Sequence, residues 1–163
     1  MDGLETALRD QIVRLLDGGM AHATFDEVIA DFPLDRINDY PPAVPYTPWH
    51  LLEHLRITQR DILDFMVDPD YRELAWPREY WPEPEAATDA EGWARTIAQF
   101  RADFAAVRAI ATDPQTDLTA RIPRGDGQII LRELLLVADH NAYHLGEFAI
   151  LRQVMGTWPP GRA

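Results

Sequence analysis

Two histidines four residues apart offer the clearest chemistry in the sequence. His140 and His144 stand in the segment 139–147, DHNAYHLGE, whose apolar flanks predict a helix. Helical residues at this spacing lie on one face, with Cβ atoms about 5–6 Å from each other. Histidine is the commonest protein metal ligand, and helical bundles build metal sites from such pairs. The same spacing also occurs on solvated helix faces, so a metal site requires a third ligand from another element.

A second histidine pair supplies a candidate for that third ligand. On another predicted helix, His54 falls within the apolar stripe, whereas His50 falls in the first turn, where we expect it to face water. We therefore take His54 as the third ligand. The chain contains no cysteine, so a metal must be held by histidine and carboxylate. Three imidazoles suit Zn²⁺, Ni²⁺ or Fe²⁺ and leave further positions to water or substrate.

Other side chains near the histidines have more than one interpretation. Glu147 could accept a hydrogen bond that orients one of the histidines, act as a fourth ligand, act as a general base, or pair with an arginine at the surface. We favour the orienting and the surface roles. Asp61 is a weaker candidate for orienting a histidine. We expect Tyr143 to pack against a neighbouring helix, and Gly146 to let a helix or a ligand come close.

The elements that must position these residues follow from the spacing of apolar side chains. Intervals of three and four predict four long helices and one short helix, over residues 3–17, 47–67, 88–112 and 129–155 and over residues 24–32. Thr24, Thr47 and Thr88 are the predicted caps of the helices that they precede. This pattern predicts an all-α four-helix bundle with long connections, forming a single domain over residues 1–163.

An irregular segment over residues 69–87, here called the aromatic loop, separates the second and third long helices. It contains four large aromatic side chains, Tyr71, Trp76, Tyr80 and Trp81. A loop of this length is uncommon in a compact domain unless its own side chains pack it or it has a role. It is either a hydrophobic plug over one end of the bundle or a lid over a substrate, and the two can coexist.

Charge and composition exclude several classes of partner. The net charge of -12 and the sequence pI near 4.7 argue against nucleic acid and anionic membrane, both of which require a cationic surface. No apolar run approaches the length of a membrane span, and the first residues include acidic side chains where a secretion signal would be basic. We expect a cytoplasmic protein.

Two stretches also resemble the DinB-like superfamily: TPWHLLEHLRITQRDIL, over residues 47–63, and GDGQIILRELLLVADHNAYHLG, over residues 125–146. The similarity spans nearly the whole chain and includes the WPREYWP motif of the aromatic loop. The resemblance implies a four-helix bundle with one divalent metal held by three histidines, at positions that match His54, His140 and His144. Members of this superfamily are often homodimers, and the resemblance implies the same for this protein.

Related branches of that superfamily act as metal-dependent thiol S-transferases or isomerases on low-molecular-weight thiols such as bacillithiol or mycothiol, and others are described only as metal-dependent hydrolases. The chain departs from the pattern in two places. Glu147 stands where glutamine is common, which adds a carboxylate near the metal. Ile129 stands where a threonine often caps the fourth long helix, which shifts the predicted cap to Asp126 or Gln128.

The residues and the resemblance together predict an enzyme whose divalent metal activates a thiol or water for transfer to, or hydrolysis of, a small molecule. The alternative is a non-catalytic protein with a structural or sensing metal. A homodimer is expected from the resemblance and from apolar residues exposed on the first and third long helices.

Overall fold

The computed structural model describes residues 3–159, and helices dominate it. Its elements are α1 (Gly3–Asp17), α2 (Phe25–Ile29), α3 (Pro48–Val67), α4 (Ala90–Thr112) and α5 (Ile130–Val154), with 3₁₀ turns at Leu34–Arg36 and Arg78–Tyr80. The all-α prediction is confirmed: within the described range no strand forms, and one isolated bridge joins Arg121 to Ile129. The four long helices make the predicted bundle, in which α1 and α3 each pack against both α4 and α5.

Two of the three predicted caps are confirmed, and the third lies one residue further along. The Thr24 and Thr47 side chains accept hydrogen bonds from the third backbone N–H of their helices. At the start of α4 the cap is Asp89, whose side chain accepts from the third N–H of the helix at 2.8 Å. Thr88 does not act as the cap, because Asn38 binds both its backbone N–H and its carbonyl, at 3.1 and 2.8 Å.

The start of α5 corrects the prediction of a cap at Asp126 or Gln128. Ile129 occupies the cap position and makes no side-chain hydrogen bond to the helix. The preceding loop provides the acceptors instead, and the N–H of Leu131 donates to the carbonyl of Leu118 at 2.8 Å. A helix start needs acceptors for its first N–H groups, and backbone carbonyls satisfy that need as well as a capping side chain does.

The core consists of two apolar clusters with buried polar residues between them. One cluster includes Ile62 and Val137, from the second half of α3 and the first half of α5, and the other includes Leu55 and Leu145, from the opposite halves. Buried polar side chains of α3 and α5 lie between these positions or directly beside them: His54, Thr58, Gln59, Asn141 and His144. The two helices that carry the predicted ligands thus bring a polar layer to the middle of the bundle.

The outer surface differs in part from expectation. Apolar side chains are exposed on α1, as expected, but none of the large exposed hydrophobic residues belongs to α4; several lie on α5. Across residues 3–159, no helix combines the length and apolar character needed to cross a bilayer.

Candidate metal centre

The three predicted ligands converge at one point between α3 and α5. The Nε2 atom of His54 lies 3.1 Å from Nε2 of His144 and 3.2 Å from Nε2 of His140, and one ring nitrogen from each of the three lies within 4.8 Å of the others. Nitrogens bound to one ion at about 2.1 Å are separated by about 3.0 to 3.4 Å. Two of the three nitrogen pairs have this separation, and these two pairs fit a single divalent ion. His54 and His144 are only 2% and 9% exposed.

The outer nitrogens of two rings are held by groups that can only accept. His54 donates from Nδ1 to the carbonyl of Tyr80 at 2.7 Å, and His144 donates from Nδ1 to Oε2 of Glu147 at 2.6 Å. A neutral imidazole carries one proton, so a proton fixed on Nδ1 leaves a lone pair on Nε2. With both rings neutral, two lone pairs face each other at 3.1 Å. A cation between them would turn this repulsion into attraction, which is the arrangement of metal-bound histidines.

The pKa values of the rings agree with neutral imidazoles. Burial lowers the pKa of His54 to about 4, although its hydrogen bond to Tyr80 opposes the shift. Burial, followed by the proximity of His144 and His54, lowers the pKa of His140 to about 3; the side chains of Asn141 and Glu147 act in the opposite direction. Both rings are therefore neutral imidazoles at neutral pH, and each has a ring nitrogen able to bind a metal.

Glu147 lies where the orienting role requires it. One carboxylate oxygen accepts from His144, and the other accepts from the hydroxyl of Tyr46. Burial acts to raise the pKa of Glu147, but the hydrogen bonds from His144 and Tyr46 outweigh it and hold the pKa below its usual range. Burial and the adjacent carboxylate raise the pKa of Tyr46, so its hydroxyl keeps its proton. Glu147 is thus an ionised acceptor at neutral pH.

The aromatic loop lies directly against the histidines. The Trp81 ring stacks on the His54 ring, with centroids 3.9 Å apart and planes at 5°, and it also packs against Tyr46 at 5.3 Å. Within residues 3–159, no hydrogen bond joins Asp61 to a histidine; instead it accepts from the hydroxyls of Tyr71 and Tyr80 at 3.0 and 2.8 Å. Asp61 therefore anchors the loop whose backbone holds His54, which corrects the direct orienting role considered for it.

Two further expectations about the site are wrong. His50 is buried, because its Nδ1 accepts from the Thr47 N–H at 3.4 Å and its Nε2 donates to the carbonyl of Ala86 at 2.8 Å. Tyr143 is 70% exposed and packs edge-on against His144 of its own helix. Among residues 3–159, no atom lies within 4 Å of the position that a Cβ of Gly146 would occupy, so the close approach of a ligand or another helix there stays a prediction.

A cavity of about 450 Å³ shares residues with this environment. Asp61 and Tyr80 form part of its wall, together with Leu136, one turn before His140 on α5; the three histidines are not among its lining residues. Its charged side chains are two arginines, Arg124 and Arg132, and four carboxylates, Asp61, Glu73, Asp126 and Glu133, and Arg132 pairs with Glu133 at 2.8 Å. This volume falls within the range of small-molecule pockets.

Sequence reasoning missed the groups that hold the rings in place, Tyr46 and the Tyr80 carbonyl. Tyr46 stands in a connection without periodicity, and its one signal is its place immediately before the capped start of α3. A backbone carbonyl has no sequence signal at all. Both are brought to the histidines by loop packing.

Comparison with known proteins gives one match. The family model described as the DinB superfamily matches residues 20–148, a range that contains the three histidines and Glu147. No curated protein and no solved structure shows a significant match to the chain.

Proposed function

The chain belongs to the DinB superfamily, and we propose that it binds one divalent metal ion through His54, His140 and His144 and uses it in a transfer or hydrolysis reaction on a small molecule. The opposed Nε2 atoms of His54 and His144 are the main support. They lie 3.1 Å apart, with their protons drawn outward to Tyr80 and Glu147. An arrangement of lone pairs with no proton between them is favourable only around a cation.

A divalent metal in this position supplies Lewis acidity and lowers the pKa of a bound thiol or water, so that a nucleophile exists at neutral pH. Glu147 holds the proton of His144 on Nδ1 and keeps that ring in the orientation in which Nε2 faces the ion. Both oxygens of Glu147 already accept a hydrogen bond. We therefore assign it the orienting role and not that of a general base.

The cavity beside Tyr80 is the proposed substrate pocket. Its volume of about 450 Å³ suits a small molecule, and its wall carries two arginines, Arg124 and Arg132, and four carboxylates, Asp61, Glu73, Asp126 and Glu133, so it suits a polar ligand. A low-molecular-weight thiol is the substrate class that we favour, by analogy with related branches of the superfamily. A cytoplasmic location is part of this proposal, because such thiols stay reduced there.

The test begins with metal content. We expect the full chain, purified without a histidine tag, to take up one equivalent of Zn²⁺, Ni²⁺ or Fe²⁺. The loaded protein is then assayed with electrophiles plus bacillithiol, mycothiol or glutathione, and separately with esters and amides. Turnover that depends on metal and is lost in His140→Ala supports the proposal. Failure of the wild-type chain to bind stoichiometric metal would refute it.

A structural or sensing metal is the second candidate, and the low exposure of the histidines favours it. His54 is 2% exposed, and Trp81 covers one face of its ring. In that case metal would raise the melting temperature strongly, while azide or a thiol would leave the absorption spectrum of the Co²⁺-loaded protein unchanged. A spectral change on adding a thiol would instead support an open coordination position.

We also propose a homodimer formed through the outer face of α5. Tyr143, Ile150 and Val154 are exposed there, and Gly146 leaves space between them. Their spacing of three and four places them on one stripe, a pattern typical of helix packing. Light scattering should give twice the chain mass, and Ile150→Arg should give a folded monomer. A monomeric wild type would contradict the proposal.

A further inference from the structure

A pair of buried amides lies in the polar layer beside the histidines. Asn141 of α5 donates from Nδ2 to Oε1 of Gln59 on α3 at 3.0 Å, and Gln59 donates from Nε2 to the backbone carbonyl of Phe100 on α4 at 2.8 Å. Gln59 is 1% exposed and Asn141 is 6% exposed. Burying two amides costs free energy unless their polar atoms find partners. The remaining atoms of the pair therefore need to be accounted for.

The Phe100 carbonyl fixes the orientation of both amides. A carbonyl only accepts, so Gln59 must present its NH₂ group to Phe100 and its oxygen to Asn141. Asn141 must then present its own NH₂ group to Gln59. The Oδ1 atom of Asn141 is left as an acceptor, and it has no hydrogen-bond partner among residues 3–159.

His140, the residue before Asn141, has a ring nitrogen that needs an acceptor of this kind. Nδ1 of His140 is also buried and forms no hydrogen bond of full geometry within the described residues, although the Asn141 side chain lies close enough to raise the pKa of His140. Nδ1 of His54 and Nδ1 of His144 each have an acceptor. Neither Oδ1 of Asn141 nor Nδ1 of His140 is accessible to water, so solvent cannot satisfy them. A histidine that binds a metal through Nε2 carries its one proton on Nδ1 and needs an acceptor there.

We propose that Asn141 is the positioning residue of His140: its Oδ1 accepts the Nδ1 proton of His140 when Nε2 binds the metal. This inference rests on the proposed metal site. The three rings would then have three different acceptors: a backbone carbonyl, a carboxylate and an amide. Asn141 binds Gln59 of α3, which in turn binds the carbonyl of Phe100 of α4, so this hydrogen-bond chain connects His140 to both helices.

Zinc affinity and the tautomer of His140 test the assignment in the full chain. We expect Asn141→Leu to weaken Zn²⁺ binding by about 10- to 100-fold in competition with a chelator. Asn141→Asp keeps an acceptor for His140 but cannot donate to Gln59, so it is made together with Gln59→Leu; Gln59→Leu/Asn141→Asp should bind Zn²⁺ more tightly than Gln59→Leu/Asn141→Leu. Val107→Ala, a buried change on α4 without polar atoms, is the matched control and should leave the affinity unchanged. In ¹⁵N spectra of the zinc-loaded wild type, His140 should carry its proton on Nδ1.

The outcomes separate this inference from the function on which it rests. If the wild type binds no zinc, both are wrong. If the wild type binds zinc and Asn141→Leu binds it within twofold, or if Gln59→Leu/Asn141→Asp is no better than Gln59→Leu/Asn141→Leu, Asn141 does not position His140. Should Asn141→Leu fail to fold, Gln59→Leu/Asn141→Leu removes both partners and leaves no unpaired amide. That variant should show the same loss of affinity, and unchanged affinity would again overturn the assignment.

Discussion

Two buried polar clusters in this protein satisfy their polar atoms in opposite ways. In the arginine cluster, the fully buried Arg152 donates four hydrogen bonds to the carbonyls of Val28, Ala30 and Thr157, and its guanidinium lies over the ring of Phe32. In the histidine cluster, formed by His54, His140 and His144, the bonds of two rings run outward and their inner nitrogens face each other.

This difference distinguishes a structural cluster from a binding site. The arginine cluster is complete: its charge and its donors are met by the fold, so it ties α2 and the C-terminal segment to α5. In the histidine cluster, the Nε2 lone pairs of His54 and His144 face each other, an arrangement that suits a cation between them. Burial without full pairing costs stability, and such groups persist where they serve a ligand. Changes to the histidine cluster should therefore mainly lower metal affinity, whereas changes to the arginine cluster should mainly lower the unfolding free energy.

The largest expected effect is the loss of metal in His140→Ala. Removing one of three ligands should weaken metal binding by about 1,000-fold or more. The unfolding free energy of the metal-free protein should change by only about 1 kcal/mol, because within residues 3–159 Nδ1 of His140 forms no hydrogen bond that the substitution would remove. Chelator competition and urea denaturation measure the two quantities. His22→Ala, a histidine outside the cluster, is the control and should retain wild-type affinity; a similar loss in that variant would mean that the site is elsewhere.

Arg152→Met should show the reverse pattern. The substitution leaves buried carbonyls without donors and should lower the unfolding free energy by about 3 kcal/mol. Zinc affinity should stay at the wild-type value under conditions in which the variant is folded. Urea denaturation and chelator competition again provide the measurements. A stable variant, or one that binds zinc more weakly while folded, would contradict the separation of the two clusters.

Glu147→Gln tests the outer hydrogen bonds of the histidine cluster. An amide offers one oxygen where the carboxylate offers two, so it cannot accept from both His144 and Tyr46, and it lacks the charge. We expect zinc affinity to fall by about 10- to 100-fold. Tyr46→Phe removes only the more distant bond and should have a smaller effect. Equal affinities in all three proteins would show that Glu147 does not orient His144.

The smallest effect is a pH dependence of the metal-free protein. Burial lowers the folded-state pKa values of His54 and His140 to about 4 and 3, whereas both rings titrate near 6.5 when unfolded. The unfolded chain therefore binds more protons below pH 6.5, and stability falls as the pH drops from 7 to 5, on the order of 1 kcal/mol for each ring. The double variant His54→Ala/His140→Ala should lack this component of the slope. Identical slopes between pH 5 and 7 would contradict the lowered pKa values.

Much of the helical framework could be predicted because its causes are local. Apolar spacing placed α1 and α3, and the side chains of Thr24 and Thr47 cap helices as their sequence patterns indicate. The errors arose where distant groups compete for the same atoms. Asn38 occupies the backbone of Thr88, and the carbonyl of Ala86 binds His50, a residue that its own helix would leave exposed.

The sequence by itself determined the identity of the three histidines and the faces on which they stand, because residues four apart in a helix share a face whatever surrounds them. Tertiary structure decided the state of each ring. The packing of the aromatic loop brings the Tyr80 carbonyl to His54, and the approach of the connection before α3 brings Tyr46 to Glu147. These contacts join residues far apart in the chain, so they follow from how the bundle and its loops pack and not from any local pattern.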